Sequence, residues 1–171
     1  MKTLVKYLLA CAVIFTSLNG AAQSARQQRQ TAKEGHIKNL VTNIDYVFKA
    51  NYVSPQRGGS RALTSDYDLA VSKDTINAYL PYFGRAFVAP IDPTEGGIKF
   101  KTTKFDYKAK SNKKGGWDVL ITPKDRNISD MRDVQTLRLN ISQNGFASLR
   151  VISSNRDPIS FDGYIEAREK K

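Results

Sequence analysis

Two scarce residue types limit the chemistry that this chain can perform. Its 171 residues include one histidine, His36, and one cysteine, Cys11. His36 lies in a polar stretch where we expect an exposed helix, so it is a poor candidate for the buried base of a Ser-His-Asp triad. A zinc site made of His and Cys needs more ligands than these two residues supply. We therefore predict no catalytic residue, no metal ligand and no cofactor.

Carboxylates offer the remaining catalytic route. Asp66 and Asp68 are two residues apart in an alternating segment, so they share one face of a strand. Asp92, Glu95 or Asp118 could approach them, and a carboxylate pair can support glycoside hydrolysis. The simpler interpretation is a solvent-facing strand edge opposite a core face. A carboxylate-based hydrolase is kept only as an alternative.

Lysines are unusually dense between residues 99 and 114, in a chain whose formal net charge is +11. Several alternate with Phe105 and Tyr107, so they form a cationic ridge on the opposite face of a strand and in the next turn. Edge lysines often serve to prevent sheet-to-sheet aggregation, which is the simpler interpretation. The ridge could also bind an anionic surface with salt-sensitive affinity, but we expect no sequence-specific nucleic-acid partner. The candidate anion-binding residues are Lys104, Lys108, Lys110, Lys113 and Lys114.

An irregular aromatic segment supplies the best candidates for a ligand site. Residues 80–86 combine aromatic side chains with a proline and a glycine, so they cannot form a regular central strand. We predict that Tyr82, Phe83, Arg85 and Phe87 line a ligand site at a barrel mouth or an interface. The competing interpretation is a corner plug in which these aromatic side chains close the core.

One helix and a series of short strands must position these groups. Ile37, Leu40, Val41 and Ile44 have helical spacing, which predicts an N-terminal helix over residues 23–43 with an exposed first half. Residues 44–166 are predicted to form a single all-β domain, followed by a disordered tail over 167–171.

The strands are predicted from alternation of apolar and polar residues. In the first strand the even positions from Ile44 to Tyr52 form the apolar face. Turns are predicted at residues 72–74 and at Asn144-Gly145, the strongest hairpin signal in the chain. The alternation slips by one residue near 102–104, which predicts a bulge or a strand break there. The fold class is mainly β: an antiparallel barrel or sandwich of about eight strands, with a lipocalin-like barrel among the alternatives, and an N-terminal helix.

The first 22 residues have the pattern of an export signal. Lys2 and Lys6 precede an apolar run, and small residues at 20–22 follow at signal-peptidase spacing. Cleavage before Gln23 would remove Cys11 and leave no transmembrane segment. The alternative is lipidation at Cys11, which would produce an outer-membrane lipoprotein; it is disfavoured because it leaves an apolar stretch at the mature terminus. We expect a periplasmic or secreted protein.

Four short motifs carry a resemblance to a known family. They are Asp66-Tyr67-Asp68-Leu69, Leu80-Pro81-Tyr82-Phe83-Gly84-Arg85-Ala86, Gly97-Ile98-Lys99-Phe100 and Ile159-Ser160-Phe161-Asp162-Gly163. In this order they resemble the domain of unknown function 4251, a family of exported Bacteroidota proteins, over roughly residues 44–165. The resemblance implies a mainly β envelope or secreted protein, and it brings no catalytic residues.

The expected function is binding without catalysis. We predict a non-enzymatic β-domain that binds a small ligand or an envelope partner through its irregular side, residues 80–97. A further alternative is that the protein is a structural or envelope-stress component that associates with anionic lipid or glycan. The triplet Asp74-Thr75-Ile76 resembles a short O-glycosylation motif of Bacteroidota, so Thr75 is a candidate modification site.

Overall fold

The computed structural model of the chain describes residues 26–87, 96–124 and 134–169. A helix, α1, covers residues 26–43, and the chain divides into two units after His36. In the first unit the helix is exposed, as its polar composition predicts, and Gln30 Nε2 donates a hydrogen bond to Glu34 Oε1 at 3.1 Å. This i,i+4 pair supports a helical segment that buries little apolar surface of its own.

The second unit starts with the apolar end of α1. Ile37, Leu40 and Val41 are buried in the core of the β-domain, as their spacing predicts. The helix ends at Ile44, whose φ of 53° lies in the left-handed region that commonly terminates helices. The Asp45 amide then donates to the Leu40 carbonyl at 3.1 Å, which satisfies one of the last carbonyl groups of the helix.

The described residues form nine antiparallel strands in one sheet, in which the pairing of β1 with β9 joins the two ends of the domain's sequence. Consecutive strands pair with each other except β4 and β5, β1 also pairs with β9, and the sheet order is β4-β3-β2-β1-β9-β8-β7-β6-β5. The sheet is therefore a nearly closed barrel with β4 and β5 at its two edges. The strands are β1 (Tyr46–Pro55), β2 (Arg61–Val71), β3 (Ile76–Leu80), β4 (Ile98–Thr102), β5 (Phe105–Ser111), β6 (Trp117–Pro123), β7 (Val134–Ile141), β8 (Phe146–Ser153) and β9 (Ile159–Glu166).

The opening of the barrel falls where the alternation slips. β4 ends at Thr102 and β5 begins at Phe105, so the predicted strand break near residues 102–104 is confirmed. The buried Thr102 hydroxyl accepts a hydrogen bond from the Lys104 amide at 3.0 Å. This side-chain bond replaces a ladder bond at the point where the chain changes strands.

Side chains fill the interior of the barrel. Tyr46, Phe48 and Phe161 are fully buried and belong to one hydrophobic cluster that includes residues from α1 and eight of the nine strands. The Tyr46 hydroxyl lies 3.3 Å from the hydroxyl of half-buried Tyr107 on β5. Burial raises the pKa of Tyr46 well above its ordinary value of 10.0, and the adjacent Tyr107 hydroxyl acts in the same direction. Burial also raises the pKa of Tyr107.

A β-bulge corrects one expectation for the first strand. Ala50 pairs with Gly163 and Tyr52 pairs with Asp162, so Asn51 is an extra residue on β1. The inserted residue shifts the alternation by one. Tyr52 therefore lies on the outer face and is 53% exposed, and the prediction that it shares the apolar face is wrong.

Gly163 makes the close strand approach at this bulge sterically feasible. A Cβ atom at Gly163 would collide with the carbonyl oxygen of Lys49 and lie 3.2 Å from Cα of Ala50. Only glycine avoids this contact without movement of β1. The sequence of β9 thereby helps to turn a β1 side chain towards solvent.

Candidate ligand-binding groove

The 82–87 segment, predicted as a ligand site, is tied to the connection between β8 and β9. The Tyr82 hydroxyl donates to the carbonyl oxygens of Arg85 at 2.9 Å and Asp157 at 3.1 Å. The Asp157 amide donates to the Arg85 carbonyl at 3.0 Å, and the Phe87 amide donates to the Asn155 carbonyl at 2.8 Å. The backbone and the Tyr82 hydroxyl thus hold the segment in place.

Two arginines from elsewhere in the fold cover the aromatic rings of this segment. The Arg156 guanidinium lies 5.3 Å from the centre of the Tyr82 ring and donates to the Gly97 carbonyl at 3.0 Å. The Arg61 guanidinium lies 5.3 Å from the centre of the Phe83 ring. Tyr82 and Phe83 also pack against the core. These contacts are of the kind expected for a corner plug.

Arg85 and Phe87 differ from their neighbours because their side chains are exposed, Phe87 to 62%. The chain that follows, residues 88–95, lies outside the described residues, and it includes Asp92 and Glu95. The assignment of Tyr82, Phe83, Arg85 and Phe87 as ligand contacts stays a prediction.

The predicted lysine ridge is divided among three places. Lys108 and Lys110 lie on β5 and line a groove on the outer face of the sheet. Lys113 and Lys114 lie in the turn before β6, while Lys104 precedes β5 at its other end, where its carbonyl accepts from the Lys124 amide at 2.8 Å. The assignment of the five lysines to one anion-binding surface stays a prediction.

The groove beside Lys108 and Lys110 crosses the outer face of β5 to β9. It has a volume of about 760 Å³. Its lining combines small polar residues with long cationic side chains. We call it the cationic groove; its outward side chains are Lys108, Lys110, Asp118, Leu120, Arg138, Asn140, Ser148, Arg150 and Ser160.

Arg138 and Arg150 are the most informative residues of the cationic groove. They are direct cross-strand partners on β7 and β8. Directly opposed like charges destabilise a sheet, so this pair is unfavourable for the fold alone. Lys108 is aligned with them, because it pairs with Leu120, which in turn pairs with Arg138.

Within the described residues no carboxylate neutralises these cations. The ion pairs there are Lys49–Asp68 at 3.1 Å, Lys124–Asp106 at 2.7 Å and Arg168–Asp45 at 3.1 Å. Among the described residues that line the cationic groove, Asp118 is the only acid, and it accepts a hydrogen bond from Asn140 Nδ2 at 2.5 Å. In this part of the structure four cations thus accompany one carboxylate.

A second groove adjoins the first on the same outer face. It has a volume of about 390 Å³ and shares Asn140 and Ser148 with the cationic groove. Its aromatic side chains are Tyr52, Phe146 and Tyr164, of which Phe146 is 64% exposed. We call it the aromatic groove.

The candidate acid and base residues are dispersed over the fold. Lys49 Nζ donates a hydrogen bond to an Asp68 oxygen at 3.1 Å, and this bond is the main reason that the pKa of Lys49 is raised. Asp118 lies on β6, and four strands separate β6 from β2, which carries Asp66 and Asp68. His36 is exposed on α1. Within the described ranges, no group of three or more His, Cys, Asp or Glu side chains is placed to hold a metal ion.

Thr75 lies in the predicted tight turn between β2 and β3. Its amide donates to the Ser72 hydroxyl at 3.0 Å, and that hydroxyl donates to an Asp74 oxygen at 2.6 Å. The bond from Ser72 is the main reason that the pKa of Asp74 is lowered. The turn is confirmed, and the glycosylation of Thr75 stays a prediction.

Sequence reasoning missed Arg138 and Arg150 as a pair. The alternation of β7 and β8 places both residues on the outer face, but their alignment depends on the register of the hairpin. The Asn144-Gly145 turn does not fix that register: a two-residue loop would place Arg138 opposite Val151. The observed loop has three residues, with Gly145 at φ 86° and Ser142 paired to Phe146, and this register aligns the arginines.

The described residues define a small, nearly closed antiparallel barrel with an N-terminal helix and with the cationic and aromatic grooves on its outer face. The chain belongs to the family described as domain of unknown function (DUF4251), whose model matches residues 28–165. A crystal structure of a DUF4251 family protein from Bacteroides eggerthii is similar, with a TM-score of 0.56 and 14% sequence identity. The match covers 81% of this chain and 91% of that one. No curated protein matches the sequence.

The family match confirms the resemblance drawn from the sequence motifs, while the similarity to the solved structure concerns the fold alone. The sheet and α1 confirm the expected mainly β architecture with an N-terminal helix. None of the helical segments in the described residues is both long and apolar enough to cross a bilayer.

Proposed function

We propose that this protein is an exported, non-enzymatic β-barrel that binds an anionic ligand in its cationic groove. The observation that carries the proposal is the direct cross-strand pairing of Arg138 with Arg150, without a carboxylate partner in the described parts of the chain. A fold gains nothing from such a pair, whereas an anion bound between the two guanidinium groups would relieve their repulsion.

The groove has the chemistry to hold an anion. A guanidinium group offers a planar set of donors that matches a carboxylate, phosphate or sulfate group, and two such groups are adjacent here. Lys108 and Lys110 add two point charges, and the hydroxyl groups of Ser148 and Ser160 add uncharged donors. The volume of about 760 Å³ lies within the range of small-molecule sites.

Export and lack of catalysis are parts of the same proposal. The charged, apolar and small-residue regions of residues 1–22 support secretion or a periplasmic location. Four strands of the sheet lie between Asp118 on β6 and the Asp66–Asp68 strand, β2, and this separation argues against a carboxylate pair that combines them for hydrolysis.

Salt-dependent retention on immobilised dextran sulfate tests the proposal. The double variant Arg138→Gln/Arg150→Gln should elute at a clearly lower salt concentration than the wild type, because two charges that act together are lost. The matched control is Arg57→Gln/Lys101→Gln, which removes two exposed cations outside the groove. If the control elutes as early as the groove variant, retention reflects net charge and the proposed site is wrong.

A further inference from the structure

The cationic and aromatic grooves form one continuous surface. Asn140 and Ser148 line both grooves, and cross-strand pairing extends from Ser148 through Asp162 to Tyr52. The barrel therefore presents aromatic, neutral polar and cationic side chains in sequence across its outer face. A ligand that fills the cationic groove can extend into the aromatic groove without leaving the protein surface.

The aromatic groove exposes apolar rings that the fold does not use. Phe146 and Tyr164 are direct cross-strand partners and are 64% and 38% exposed. Tyr52 joins them only because of the bulge on β1. Exposed aromatic clusters of this kind are typical of binding surfaces.

The spacing of the two grooves restricts the ligand. Phe146 and Arg150 are four residues apart on β8 and point to the same side, which corresponds to about 13 Å along the strand. The ligand must therefore place a flat, partly apolar group and an anionic group about this far apart. Between the two, Asn140 and Ser148 offer hydrogen bonds to hydroxyl groups.

We propose that the ligand is an acidic oligosaccharide whose anionic sugar lies between Arg138 and Arg150 and which stacks another sugar, farther along its chain, on Phe146 and Tyr164. A sugar ring has an apolar C–H face that stacks on aromatic rings, hydroxyl groups that bond to amides and hydroxyls, and, in a uronic or sulfated sugar, one charge per unit. Asp118 and Asp162 lie within the same surface; they can accept hydrogen bonds from sugar hydroxyls but would repel a densely charged bilayer or polyphosphate. This inference rests on the proposed anion-binding function.

Titration calorimetry with a short oligogalacturonate tests the inference. Phe146→Ala should weaken binding about tenfold, since it removes one stacking ring from an exposed position. The control Tyr79→Ala removes another exposed ring, 44% exposed, from β3, outside both grooves, and should leave the affinity unchanged. A neutral oligosaccharide of the same length should bind much more weakly than oligogalacturonate.

The other outcomes separate this inference from the anion-binding proposal. If Phe146→Ala binds oligogalacturonate like the wild type while Arg138→Gln/Arg150→Gln loses affinity, the anion site stands and the saccharide inference falls. If the wild type prefers inorganic polyphosphate, or needs Phe146 to bind phosphatidylglycerol vesicles, the saccharide is the wrong occupant. If neither arginine nor aromatic variants change the binding of any anion, both proposals fall.

Discussion

The 82–87 segment and the cationic groove contain similar side chains, but the fold uses them differently. In the segment the Tyr82 hydroxyl bonds to two carbonyls, and Arg156 covers its ring. In the groove Arg138 and Arg150 face each other and have no partner among the described residues. Aromatic and cationic residues that are already bonded within the protein stabilise it, whereas those left unpaired remain available to a ligand.

Two tyrosines of β1 also differ in how the fold uses them. Tyr46 lies in the core and Tyr52 lies on the outer face, although both occupy even positions of one alternating segment. A single inserted residue, Asn51, produces the difference. A local irregularity thus converts a core position into a surface that can contact a ligand.

The largest expected effect comes from closing the space that accommodates this bulge. Gly163→Ala places a Cβ against the Lys49 carbonyl, so we expect a loss of about 2–3 kcal/mol in the free energy of unfolding. Urea denaturation measures it. Gly59→Ala, where a Cβ would meet no atom within 4 Å, is the control and should remain within about 0.5 kcal/mol of the wild type. Equal stability of both variants would show that the close approach at the bulge is not required.

The second prediction tests whether the 82–87 segment stabilises the fold or binds the ligand. Tyr82→Phe removes the hydroxyl that joins the Arg85 and Asp157 carbonyls, and should cost about 1–2 kcal/mol without changing retention on dextran sulfate. Tyr79→Phe, a half-exposed tyrosine, is the control. Unchanged stability together with lost retention would indicate that the ligand binds at the 82–87 segment.

The buried tyrosine pair should make the barrel sensitive to high pH. Since burial raises the pKa of Tyr46 and Tyr107, the folded state holds these protons more tightly than the unfolded chain. The resulting stability is complete below the ordinary value of 10.0 and is lost as the pH rises through the folded-state pKa values.

Tyr46→Phe should therefore cost about 0.5–1.5 kcal/mol at pH 7, from the lost hydrogen bond, and less above pH 10. Denaturation curves across this range measure the gap between the variant and the wild type. A gap that stays constant as the pH rises would contradict a role for Tyr46 ionisation.

The smallest expected effect is a gain in stability, where the preceding variants are expected to lose stability. Arg150→Gln removes the repulsion from Arg138, so we expect the free energy of unfolding to rise by about 0.2–1 kcal/mol at low salt. The gain should disappear at high salt because exposed charges are then screened. Thermal unfolding at two salt concentrations measures this, with Arg57→Gln as the control. A loss of stability in Arg150→Gln would mean that the arginine supports the fold.

Local patterns were sufficient to predict most of the fold. Alternating residues and turn residues placed the strands, and the slip near residues 102–104 predicted the bulge or break that separates β4 from β5, because strand side chains have a period of two. The distinction between barrel and sandwich depends on the pairing of β1 with β9, which are far apart in the sequence. No local pattern encodes that contact.

The candidate site was harder to predict because it depends on the register between neighbouring strands. Lys108 and Lys110 were recognised because they are close in sequence, whereas Arg138 and Arg150 become neighbours only through a three-residue hairpin loop. Tyr52 was placed on the wrong face because the bulge depends on Gly163, more than a hundred residues later in the chain. Loop length and bulges change which residues meet without changing the pattern of each strand.

Amide chemical shifts during titration with a short sulfated dextran oligosaccharide test the central claim most directly. The account predicts that the shifts concentrate at Arg138, Arg150 and the neighbouring outer positions of β6 to β8, and that Tyr82 and Phe87 do not respond. Shifts concentrated in the 82–87 segment, with none at the two arginines, would contradict it.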